Sequence, residues 1–125
     1  MTNQIEQLQA MRGLTENWDG YGAAAPQEDV IDVASEFVSL IEALLNKRST
    51  LPPVIHVSPT RIGGVLIEWD DAVIEHEVEI NPDRSFSFLH LHKASGHIET
   101  RKLFPGADAV VQPGFLQELC QLLAA

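Results

Sequence analysis

The spacing of apolar positions changes along the chain, and each change predicts a different element. Ile5, Leu8 and Met11 repeat on one side of residues 4–12, which predicts a short helix that Gly13 can end. Pro26 then stands where a first helical turn tolerates proline. From there Val30, Val33, Ala34, Phe37, Leu40, Ile41, Leu44 and Leu45 fall at i, i+3, i+4, i+7 spacing. Glu28, Asp29 and Asp32 near the start, with Lys47 and Arg48 in the last turn, match the two signs of the helix dipole. A long amphipathic helix is expected. At "LPPV" any helix must stop, and the period drops from 3.6 to 2. Strands are expected near 54–58, 64–70, 73–80, 85–92 and 97–103. Turn residues join them at Gly63-Gly64, Asp71-Ala72, "NPDRS" and "ASG". A last helix near 113–124 would place Leu116, Leu119, Cys120 and Leu123 on one face.

Links that short demand antiparallel neighbours. The predicted fold is therefore α+β: an antiparallel meander of 4–5 strands, with two N-terminal helices and one C-terminal helix packed on one face. One domain spans residues 1–125, with no internal repeat or linker. A two-residue turn at Asp71-Ala72 would pair Trp69 with Ile74, Ile67 with His76 and Val65 with Val78. Ile80 opposite Phe86 would set Val78 against Phe88 and His76 against His90. One face then carries Val65, Ile67, Trp69, Ile74, Val78, Ile80, Phe86 and Phe88, and must be the core. The other carries Leu66, Glu68, Glu75, Glu77, Glu79, Leu89 and Leu91. That face is acidic, with an apolar row of three leucines.

Charge narrows the partners. The chain has 18 acidic and 8 basic residues, a net charge of −10. Such a surface repels phosphate backbones, which argues against nucleic acid, and it can steer the protein toward a basic partner. Solubility alone is the plainer reason for it. Cys120 is the sole cysteine, so no intrachain disulfide can form, and its helical setting suggests a buried, inert thiol. The start has neither a basic region nor a continuous apolar run, so no signal peptide is expected. No segment approaches the ~20 apolar residues of a membrane span, and the expected location is cytoplasmic.

The stretch "ENWDGYGAAAP", residues 16–26, is the most unusual in composition. Asn17 or Asp19 can cap free amides, and Gly20 and Gly22 can take the positive φ of a tight reversal. Trp18 and Tyr21 are then expected to bury as plugs between the helices and the sheet. This reading makes the loop structural. The same loop, followed by Pro, a long helix and "GGVLIEWDDAVIEHEVEI", resembles a group of small uncharacterised bacterial proteins. Members share an "NWDGYGA" loop, a "GGVxLEW" strand and a following "LEIEI"-like strand. The matching positions are Asn17, Trp18, Asp19, Gly20, Tyr21, Gly22 and Ala23, then Gly63, Gly64, Val65, Glu68 and Trp69. No activity is established for the group, so the resemblance implies a fold and not a reaction.

Chemistry has few candidates. Glu68 beside Trp69 invites an acid/base role, but on the expected register it faces solvent opposite Glu75. His90 and His92 form H-x-H on one strand with His76 across from His90, a spacing able to chelate a divalent metal. No fourth ligand is evident, so no metal and no cofactor are expected. "G-x-S-x-G" is absent, and no catalytic residue is assigned. The leading expectation is a non-enzymatic interaction protein: an inhibitor, antitoxin or immunity-like partner of a basic protein, or a homodimer. Its interface would be Leu66, Glu68, Glu75, Glu77, Leu89 and Leu91. The alternative is a small-molecule or metal-binding enzyme using the His76, His90 and His92 row.

Overall fold

The computed structural model describes residues 4–48 and 53–103, together with Leu119, Cys120 and Leu123. Helix α1 (Gln4–Ala10) tightens into a 3-10 turn at Met11–Gly13. A helix of seven residues is marginal alone, and burial of Leu8 and Met11 against the core holds it. Helix α2 (Glu28–Arg48) starts two residues after Pro26 and buries Val30, Ile31, Ala34, Phe37, Val38 and Ile41. Asp29 at its start pairs with Arg84 from the turn at residues 81–85.

Five strands follow among the described residues: β1 (His56–Pro59), β2 (Val65–Asp70), β3 (Ile74–Ile80), β4 (Phe86–His92) and β5 (Ile98–Leu103). They form one antiparallel sheet in chain order, so the fold is α+β with a meander. Between β3 and β4 the register is the expected one, with Ile80 opposite Phe86 and His76 opposite His90. Between β2 and β3 it is not. Trp69 pairs with His76, Ile67 with Val78 and Val65 with Ile80, a shift of two residues from the expected pairing. The cause is local. Asp71 Oδ1 accepts the N–H groups of Val73 (2.7 Å) and Ile74 (2.8 Å) while the Asp71 N–H donates to the Ile74 carbonyl (3.0 Å), which moves the reversal one residue on, to Ala72-Val73. A shift of two keeps every side chain on its face, so the core face is unaffected.

The core lies between that face and the helices. Val65, Ile67, Trp69, Val78, Ile80, Phe86 and Phe88 from the sheet meet Leu8 of α1 and the α2 stripe, with Ile55, Leu119 and Cys120 joining them. The Cys120 thiol lies 3.8 Å from the Phe37 carbonyl oxygen. The rest of the expected last helix, including Leu116, and the stretch 104–112 lie outside the described residues.

Candidate functional site

The outer sheet face can be read row by row. One row runs His56, Glu68, Glu77, Leu89, Thr100; the next runs Ser58, Leu66, Glu79, Ser87, Lys102. A third runs Asp70, Glu75, Leu91, Ile98. None of these outward residues is buried. Two expectations need correction here. Glu68 faces Glu77 and not Glu75, and Leu66 faces Glu79 and not Glu77. The row of three leucines is therefore broken. Leu89, Leu91 and the 55% exposed Ile98 make an apolar strip along β4 and β5. A groove of about 450 Å³ lined by Glu77 and Glu79 lies between Leu66 and Leu89. Partial burial raises the Glu77 carboxyl above its ordinary value, and the charges of Glu68, Glu75 and Glu79 raise it further. The perturbed carboxyl of this face is thus Glu77, at the centre of a like-charged cluster.

The loop at 16–26 folds on itself. Asn17 takes a left-handed φ of 65°, and Gly20 and Gly22 take 77° and 82°. Asn17 Oδ1 accepts from the Gly22 N–H at 2.6 Å. Asp19 accepts from the N–H groups of Tyr21 (2.8 Å) and Ala23 (3.2 Å) and from Arg61 Nε (2.9 Å). The Tyr21 N–H is the largest influence holding the Asp19 carboxyl below its ordinary value. Arg61 also donates to the Tyr21 carbonyl, and Ala24 bridges to Ile62, so the loop is tied to the β1–β2 hairpin. The expected plugs are not both present. The reversal turns Tyr21 outward, 82% exposed, and Trp18 is only half-buried, its Nε1 donating to the Ala24 carbonyl at 2.8 Å.

A second site lies on the helix-covered side, at the end of the core nearest β5. A cavity of about 440 Å³ has apolar walls from Leu45, Ile74, Phe88, Leu103, Leu119 and Leu123. Trp69, Asp71, His76, His90, Glu99, Thr100 and Arg101 also line it. Trp69 stacks on His76 with ring centroids 4.9 Å apart, and His90 meets His76 edge-on at the same distance. His92 does not complete a chelate. Its Nε2 lies 3.4 Å from Glu99 Oε1, and its ring packs near His97. Among the described residues, no three His, Cys, Asp or Glu are grouped to hold a metal ion. Asp71, Glu99 and Arg101 were not singled out in the sequence; only the His76–His90 pairing on the core face pointed here.

Burial lowers both His76 and His90, and His90 lowers His76 further while Asp71 opposes the shift. For His90 the opposing charge is Glu99, and His92 adds to the lowering. The folded values therefore lie below the ordinary 6.5. As pH falls through that value, the unfolded chain binds protons that the folded chain refuses, so this stabilisation is full above it and lost below it. Melting temperature should drop between about pH 7.5 and 5.5, and less steeply in His76→Phe, which keeps the stack on Trp69. An unchanged slope in that variant, measured by thermal melting across the range, would refute the assignment.

The Cys120 thiol is pushed up to about 12 by burial, which keeps it protonated and inert as a nucleophile. Comparison of the chain with protein-family models, with curated proteins and with solved structures yields no match.

Proposed function

We propose that the protein is a non-enzymatic binding protein whose outer sheet face docks a basic protein, as an inhibitor, antitoxin or immunity partner would. The observation that carries this reading is the Glu68–Glu77 pair flanked by Glu75 and Glu79, next to the apolar strip of Leu89, Leu91 and Ile98. Partial burial and, after it, repulsion from its neighbours already raise Glu77, and lysine or arginine side chains set among these carboxylates would relieve the repulsion. The leucines supply the apolar contact and the glutamates its polar rim. A second copy of the chain is the weaker occupant, because it would bring the same carboxylates face to face. The net charge of −10 disfavours nucleic acid. No helix among the described residues is long and apolar enough to cross a membrane, and a cytoplasmic place belongs to the same reading.

The test combines identification with charge reversal. The partner captured from the native host should be basic. Glu75→Lys with Glu77→Lys should weaken its purified complex by about a hundredfold, while added salt weakens the wild-type complex. A partner that binds the reversed variant as tightly as the wild type would refute the reading.

A further inference from the structure

The cavity beside β5 has no part in the proposed docking, yet it carries a specific pattern of unmet hydrogen bonds. His76 is only 7% exposed, and its Nδ1 is buried with no hydrogen-bond partner among the described residues. His90 Nε2 is in the same state. Two such atoms on adjacent strands are costly to leave unmet, since each forfeits its solvation for nothing in return. Both residues line the cavity.

The tautomer of His76 follows from its neighbour. Burial alone would raise the Asp71 carboxyl, but the Ile74 and Val73 N–H groups, with His76 and Lys93 near, hold it below its ordinary value. Its Oδ2 faces His76 Nε2 at 3.8 Å. That is too long for a hydrogen bond, but an ionised carboxylate there favours the proton on Nε2. Nδ1 is then a bare acceptor facing no donor.

We propose that this cavity binds a small, uncharged, largely apolar molecule that presents a hydroxyl group to His76 and His90. A volume of about 440 Å³ lies in the range of small-molecule sites, and the walls are mostly leucine, isoleucine, phenylalanine and the Trp69–His76 stack. A hydroxyl donates one hydrogen bond and keeps lone pairs to accept another. With a small turn of each ring, it donates to His76 Nδ1 and its lone pairs serve His90 in its Nε2–H tautomer, since both nitrogens are covered as the rings stand. An anionic ligand would place its charge beside Asp71 and Glu99, with Arg101 in the lining and Lys93 beside Asp71 as the opposing cations. A ligand without a polar group would leave both imidazoles unmet.

Three matched probes separate these cases: 2-naphthol, 2-methylnaphthalene and 2-naphthoate, titrated into protein carrying 15N-labelled histidine. The expected result is that 2-naphthol moves the His76 Nδ1 resonance and binds about tenfold more tightly than 2-methylnaphthalene. His76→Phe should abolish that preference without abolishing binding. Equal affinity of the two uncharged probes, tighter binding of 2-naphthoate, or no histidine shift with any probe would overturn the proposal. The ranking and the histidine shifts are read on the wild type, so they decide the matter even if the variant does not fold. Neither depends on the outer face, so this site and the docking reading fail or stand separately.

Discussion

Phe37→Ala is expected to lower the stability of the folded chain by about 3–5 kcal/mol, the range for truncating a fully buried aromatic. Phe37 is 0% exposed, on the α2 face that covers the sheet. Its ring lies 6.4 Å from that of Trp69 and 6.2 Å from that of Phe86, so it bridges β2 and β4 across β3. Its backbone carbonyl also meets the Cys120 thiol. Removing the ring opens a void that these large neighbours cannot fill without moving strands. A small domain has about 5–15 kcal/mol in all, so the variant should unfold at much lower urea. A loss below about 1 kcal/mol in urea titration would mean that α2 does not pack on the sheet as described.

Gly64→Ala should cost about 3 kcal/mol for a different reason. A Cβ at Gly64 would run into the carbonyl oxygen of Ile80, which is sheet backbone and cannot swing aside. Thr60 Oγ1 would lie 3.1 Å from it, and that hydroxyl accepts the Gly64 N–H. The strands would have to part where Val65 pairs with Ile80, at the entry to β2. Gly20 is the control. It has a φ of +77° but open space around it, so Gly20→Ala carries only the left-handed penalty of about 1 kcal/mol. Equal losses in the two variants, compared by chemical denaturation, would contradict the close approach at Gly64.

The parts of this fold that were legible in the sequence are those set by periodicity and local turns. The α2 stripe from Val30 to Leu45 runs at helical spacing after Pro26, and α2 starts two residues beyond that proline. The β3–β4 pairing was legible because the loop between Ile80 and Phe86 is short, and it closes with the Asn81 N–H on the Ser85 carbonyl at 2.9 Å. The β2–β3 pairing was not. Alternation is blind to a shift of two, and the Asp71 side chain decides the turn by taking backbone N–H groups. Burial of Tyr21 failed for a similar reason: aromatic character suggests a core position, but left-handed Asn17, Gly20 and Gly22 turn that segment outward. The cavity was the least legible feature. It needs Leu119 and Leu123 from the far end of the chain against His76 and His90, a juxtaposition that no local spacing encodes.

The outer face carries the central claim, and a methyl footprint of the complex tests it most directly. Leucine methyl groups labelled with 13C report both sides of the sheet in one spectrum. On adding the basic partner, Leu66, Leu89 and Leu91 should shift and broaden, while Leu45 and Leu123 at the cavity on the opposite side stay in place. The reverse pattern, with the cavity leucines perturbed and the outer three unmoved, would contradict the docking face proposed for this protein.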